Sequence, residues 1–201
     1  LIFCEESYIS INFIKKLVKK MGKQIKKRHI QFSHVVMRRK IVKTIGLDTS
    51  VFVDMALKEP MCYIHNAKII KRGGLYVSYY VIQEAWGILV HIKKVDKRKA
   101  GLLINRFIER NKIEVIRKKD ITETQVNSYF DLLKKQEEVN KNIQIKGSKD
   151  SDLMIISIYK TANIDCIFTR NTFDFQKACE YLDIEIERQL TDTQFMLKKL
   201  R

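Results

Sequence analysis

The chain has 201 residues, 45% of them hydrophobic, with one Pro and seven Gly; this is enough apolar material for a full domain with an extension, and it excludes low-complexity disorder. Its 39 Lys and Arg against 23 Asp and Glu give a formal net charge of +16, which favours polyanionic partners, nucleic acid ahead of an anionic membrane surface. No apolar stretch approaches the ~18 residues needed to cross a bilayer.

Residues 1–40 differ from the rest. Up to Val36 they hold eight Lys or Arg (Lys15, Lys16, Lys19, Lys20, Lys23, Lys26, Lys27 and Arg28) against Glu5 and Glu6. Phe13, Ile14, Leu17, Val18, Met21 and Ile25 recur at helical spacing with Lys on the other face. The segment reads either as a basic amphipathic extension or as residues upstream of a true start at Met21 or Met37. The opening Leu1 suits a mistaken start or an alternative start codon.

From Lys40 onward, strands and helices alternate. Residues 41–47 read as a first buried strand, 50–57 as a short helix, and 61–71 as a second helix closed by Gly73-Gly74. A strand over 75–78 is followed by helices over 81–92 and 98–110, then by a third strand over 113–116. Thr122 or Thr124 caps a helix reaching about Glu138, and 140–149 is a polar loop. A helix over 152–161, a strand over 165–169, a helix over 171–181 and a fifth strand over 184–186 complete the pattern, with 191–201 as a tail or helix. Apolar strands alternating with helices predict an α/β fold, a parallel sheet of about five strands covered on both faces, over residues 41–190. In such sheets the working site lies beyond the carboxyl ends of the strands.

Four acids stand out against this frame. Asp48 stops an apolar run and is followed by Thr49 and Ser50. Glu84 sits within an apolar segment, Asp152 opens the apolar run Leu153-Met154-Ile155-Ile156, and Asp174 follows Ile167-Phe168-Thr169-Arg170-Asn171 in a turn. Carboxylates among core-bound residues are costly unless paired or bound to a metal. Hard divalent ions such as Mg²⁺ and Mn²⁺ take oxygen ligands, and a carboxylate cluster leaves positions for water and a phosphate oxygen. An acid centre within a basic surround suits a nuclease acting on a phosphate backbone.

These contexts resemble the PIN-domain family (VapC-like metal-dependent ribonucleases). Leu47-Asp48-Thr49-Ser50 resembles its opening strand and turn, Gln83-Glu84-Ala85 its second acid, and Asp152-Leu153-Met154-Ile155-Ile156 its third. Thr169-Arg170-Asn171-Thr172-Phe173-Asp174-Phe175 resembles its fourth motif in the toxin-like form. The resemblance spans roughly residues 41 to 187. It implies a three-layer α/β/α sandwich and an endoribonuclease in which Asp48, Glu84, Asp152 and Asp174 carry Mg²⁺ or Mn²⁺. It assigns Thr49, Ser50 and Thr169 to hydrogen bonds with the acids or the scissile phosphate. The implied partners are RNA, an antitoxin protein and a second copy of the chain, with no membrane; RNA processing is the other biological setting. Asn171 departs from the pattern where many members carry Asp, which supports the alternative of a catalytically weak PIN-like module that only binds RNA.

Other residues carry less. Asp150 is expected as a helix cap or a support for Asp152, Asp54 as a surface acid, and Arg170 as a phosphate contact. Lys93, Lys94, Lys97, Arg98 and Lys99 form a run that is either a solvated face or an RNA-backbone clamp. His29, His34, His65 and His91 lack zinc-ligand spacing, and Trp86, Tyr76, Tyr79 and Tyr80 are expected to pack. Cys4, Cys62, Cys166 and Cys179 form no Cys-x-x-Cys pair and read as reduced thiols of a cytoplasmic protein. A phospho-acceptor or flavodoxin-like α/β domain is a rival reading that leaves Glu84 and Asp174 unexplained, and a basic architectural protein is another, in which the acids are helix caps.

Overall fold

The computed structural model describes residues 43–142 and 149–200. The basic segment over 1–40, the first two residues of the expected opening strand and most of the 140–149 loop lie outside the described residues.

Five parallel strands form the centre: β1 (Ile45–Leu47), β2 (Leu75–Ser78), β3 (Glu114–Ile116), β4 (Cys166–Thr169) and β5 (Glu185–Arg188), in the order β3-β2-β1-β4-β5. Eight α-helices accompany them among the described residues: α1 (Thr49–Leu57), α2 (Tyr63–Arg72), α3 (Tyr79–Gly87), α4 (Lys97–Asn111), α5 (Glu123–Asn142), α6 (Asp150–Thr161), α7 (Thr172–Tyr181) and α8 (Asp192–Lys199).

The order explains where a site can form. The chain steps outward from β1 to β2 to β3, then crosses back to β4 on the other side of β1. Right-handed crossovers put α1–α4 on one face of the sheet and α5–α7 on the other. Packing follows this division: α1, α3 and α4 contact one another, and α6 contacts both α5 and α7. Loops therefore diverge above β1 and β4, leaving a crevice at their carboxyl ends. Asp48 follows β1 at that crevice, and its N–H donates to Phe168 O of β4 at 3.1 Å, extending the ladder by one step.

The sandwich is held by its three inner strands, which are largely buried on both faces. Ile45, Leu47, Val77, Ile167 and Phe168 are almost fully buried, as are Leu153, Ile155, Ile156 and Ile158 of α6. Gly46 is required by a close approach: a Cβ there would stand 2.8 Å from the Tyr159 ring. That ring's hydroxyl donates to Leu47 O at 2.6 Å, tying α6 to the strand that carries the site.

Element ends depart from the sequence reading for local reasons. The opening strand begins at Ile45 because Thr44 is engaged elsewhere: its N–H and hydroxyl both donate to Asp165 Oδ2 at 2.8 Å. The helix expected over 81–92 begins at Tyr79, because Ser78 Oγ accepts the Val81 N–H at 3.2 Å. It ends at Gly87 and runs on as a wider π-helical turn, Ile88–Ile92. The C-terminal segment is a helix opened by a capping box between Thr191 and Gln194.

Candidate active site

Asp48 is the hub. It is 5% exposed and caps α1, with Oδ1 accepting the Thr49 N–H at 2.6 Å. Oδ2 accepts the Ser50 hydroxyl at 2.7 Å and the Thr169 hydroxyl at 2.9 Å. Burial pushes its carboxyl pKa up, and the bonds from Ser50, Thr169 and Thr49 oppose that rise. The residue pattern at the end of β1 thus supplies both the acid and the donors that support it.

The other acids gather around it. The Thr49 hydroxyl donates to Glu84 Oε2 at 2.6 Å, so one turn of α1 joins the first two acids. Asp152 lies in the first turn of α6, and its Oδ2 accepts the Lys149 N–H at 3.3 Å. Its carboxyl is pushed up to about 6 by burial first; the Lys149 N–H opposes this, and the charges of Asp48, Asp174 and Glu84 add to it. Asp48, Glu84 and Asp174, from three other segments, therefore stand near enough to Asp152 for their charges to be felt at its carboxyl. Asp174 accepts from the Asn171 amide, and the Asn171 N–H is held by Thr169 Oγ at 3.1 Å.

Among the described residues no three His, Cys, Asp or Glu side chains are gathered closely enough to hold a metal ion as they stand. The donor chemistry nonetheless suits a hard divalent cation: oxygen only, four carboxylates, and mutual repulsion that raises Asp152.

The remaining expected residues fall at different distances from this centre. Asp150 is exposed, opens α6 and pairs with Lys134, while Lys149 holds the cap position. Arg170 reaches away from the acids to Asp54 Oδ2 at 2.8 Å. Asp54 is a correction: it is buried at 7% exposure, not a surface acid. Its place four residues after Ser50, on the same face of α1, is the signal that would have found it. His65 is structural, stacked on Phe195 with its Nδ1 accepting the Leu190 N–H at 2.9 Å. Trp86, Tyr76, Tyr79 and Tyr80 pack against the core, and Cys62, Cys166 and Cys179 are buried and unbridged.

A PIN-domain family model matches residues 45–181. The chain therefore belongs to the PIN-domain family. Three solved structures share the fold. VapBC2 from Rickettsia felis, bound to a promoter DNA fragment, has a TM-score of 0.54 at 18% identity, covering 72% of this chain and 98% of the other. DNA-bound VapBC from Salmonella typhimurium has a TM-score of 0.54 at 16% identity, covering 73% and 98%. FitAcB from Neisseria gonorrhoeae has a TM-score of 0.51 at 17% identity, again covering 73% and 98%. Among curated proteins no match is found. No described helix is long and apolar enough to cross a membrane.

Proposed function

We propose that this chain is a metal-dependent endoribonuclease that hydrolyses RNA phosphodiester bonds, acting as the toxin of a toxin–antitoxin pair. The observation that carries the reading is the hydrogen-bonded set at the crevice above β1 and β4, where Thr169 and Ser50 hold Asp48 and Thr49 holds Glu84. Asp48, Glu84, Asp152 and Asp174 would hold Mg²⁺ or Mn²⁺. Bound there, such an ion polarises a phosphoryl oxygen and lowers the pKa of a water.

The chain's own residues prepare that chemistry. Ser50 and Thr169 orient Asp48 from two sides, and Thr49 orients Glu84. The basic surface supplies attraction for the phosphate backbone. Asp150, paired with Lys134, supports the start of α6 without touching the centre. The antitoxin partner rests on the fold neighbours, two of which were solved as VapBC assemblies with DNA. A homodimer belongs to the same reading.

A second reading, RNA binding without cleavage, is favoured by one contact: the Asn171 amide occupies an oxygen of Asp174. One experiment separates the two. Labelled RNA is incubated with purified protein in Mn²⁺, in Mg²⁺ and in EDTA, alongside Asp48→Asn. Cleavage that needs the metal and Asp48 is expected. Salt-sensitive binding with no cleavage in either metal selects the second reading.

A further inference from the structure

A cavity of about 490 Å³ lies beside the carboxylate site, lined by α1 on one side and by the segment from Arg188 to Gln194 on the other. Ser50 belongs to both places: its hydroxyl donates to Asp48, and it lines the cavity. Three cations line it as well, Lys93, Arg170 and Arg188. The two lining acids are already engaged, Asp54 with Arg170 at 2.8 Å and Glu59 with Lys93 at 3.4 Å. Arg188 is exposed and makes no ion pair among the described residues. An incoming anion therefore meets an uncommitted guanidinium on the residue that pairs with Thr169 in the β4–β5 register, and Thr169 is the residue that holds Asp48.

Gln189 adds a polar wall. It is 4% exposed, its Nε2 donates to Asn66 Oδ1 at 2.8 Å, and its Oε1 is buried without a hydrogen-bond partner. Buried amide oxygens are normally paired, and an orphan costs stability. Because Gln189 lines the cavity, a hydroxyl or amino group of a ligand would meet this acceptor after a small side-chain adjustment. The volume lies within the usual range for small-ligand pockets.

We infer that this cavity is a nucleotide subsite for single-stranded RNA. It takes one nucleotide flanking the phosphate at the carboxylate site, with backbone phosphates on Arg188 and Lys93 and a base or ribose donor on Gln189. The inference rests on the ribonuclease reading of the adjacent acids. Arg188 also lines a second groove along β5, where Glu185 and Glu187 are paired with Lys43 and Arg72 and leave Lys68, Lys198 and Lys199 as a basic path for the strand on leaving the cavity.

The test is binding of a short fluorescein-labelled single-stranded RNA to the full chain in EDTA, over a salt series, followed by anisotropy. Each single-strand phosphate contact contributes about 0.7 to the slope of log affinity against log salt. Arg188→Gln and Lys93→Gln should each weaken binding and reduce the slope by about that amount. Gln189→Met should weaken binding with the slope unchanged. Lys119→Gln, in the short turn after β3, serves as the control. If Arg188→Gln and Lys93→Gln behave like Lys119→Gln, the inference is overturned. It is also overturned if Arg188→Gln abolishes binding of an acidic glutamate-rich peptide and leaves RNA binding intact. Cleavage by the wild type without any Arg188 effect removes the subsite and keeps the nuclease. An Arg188 effect on RNA binding without metal-dependent cleavage removes the nuclease and keeps the subsite.

Discussion

Thr169 Oγ donates to Asp48 Oδ2 at 2.9 Å, joining the ends of β4 and β1 across 121 residues of chain. The same oxygen accepts the Asn171 N–H, so one fully buried hydroxyl sets both the hub acid and the turn that carries Asp174. Thr169→Val keeps the shape and removes both bonds. It should lower metal affinity or activity by about 10- to 100-fold, as loss of a ligand-orienting bond does. Leaving Asp48 short of a donor should also cost about 1–3 kcal/mol in urea denaturation. Thr169→Ser should restore most of both. Wild-type metal affinity in the valine variant, read by calorimetry, would show that the bond is incidental.

Asp152 yields a pH prediction with a definite sign. Its carboxyl moves from an ordinary value of 3.8 to about 6 on folding. The folded state therefore binds more protons than the unfolded state between those values, and metal-free stability falls as pH rises through that window. Asp152→Asn removes the ionisation. In EDTA it should be more stable than wild type at pH 7 by about 1 kcal/mol, a figure reduced for solvent screening of a partly exposed group. That corresponds to about 2–4 °C in Tm, with little difference at pH 4. Melting curves that shift equally at both pH values would contradict the coupling.

The turn at Asp48 was legible because an apolar strand that stops at an acid leaves a local signature. The family resemblance assigns Thr49 and Ser50 to hydrogen bonds with the acids or the phosphate, and in the structure Ser50 donates to Asp48 and Thr49 to Glu84. The strand expected over 75–78 is found as Leu75–Ser78, where buried residues run to a capping Ser. What stayed hidden depends on chain crossings. Nothing local to Asp54 announces that Arg170 will arrive from the end of β4, a strand beside β1 in the sheet but distant in sequence. Gln189 and Asn66 likewise meet only because β5 and α2 converge. The Lys93–Lys99 run divides for the same reason: Lys93 turns into the cavity beside Asp54, while Lys97, Arg98 and Lys99 stand exposed at the start of α4.

The Arg170–Asp54 pair should respond asymmetrically to its two truncations. Asp54 is nearly buried, and burial already raises its pKa against the pull of Arg170. Arg170→Ala leaves that carboxylate without its cation and should cost about 1–2 kcal/mol, discounted for the exposed guanidinium. Asp54→Asn leaves Arg170 in solvent and should cost less. The double variant should be more stable than Arg170→Ala alone. Equal losses from both single variants in urea denaturation would argue that the pair is a surface contact.

Gly46 tests the link between packing and site. A methyl group there would press the Tyr159 ring, whose hydroxyl holds Leu47 O one residue before Asp48. Gly46→Ala should cost about 1–3 kcal/mol, the usual penalty of overpacking a close-packed core. Because the strain enters through β1, metal affinity should fall with stability, whereas an equally destabilising change in α8 should leave affinity intact. Gly101→Ala meets open space in α4 and should be neutral or slightly stabilising.

Metal itself should act as a stabiliser through mass action. A ligand that binds only the folded state at a hundred times its Kd adds about 2.7 kcal/mol, or about 5–10 °C in Tm for a chain of this size. Mn²⁺ or Mg²⁺ should give the wild type such a shift at pH 7.5. The shift should shrink below pH 6, where Asp152 holds its proton and a cation must displace it. Asp48→Asn should lose the shift while starting from a higher metal-free Tm, since it removes one of the repelling charges. If the divalent ion raises Tm equally in Asp48→Asn and in wild type, the ion binds elsewhere and the four acids are not its ligands.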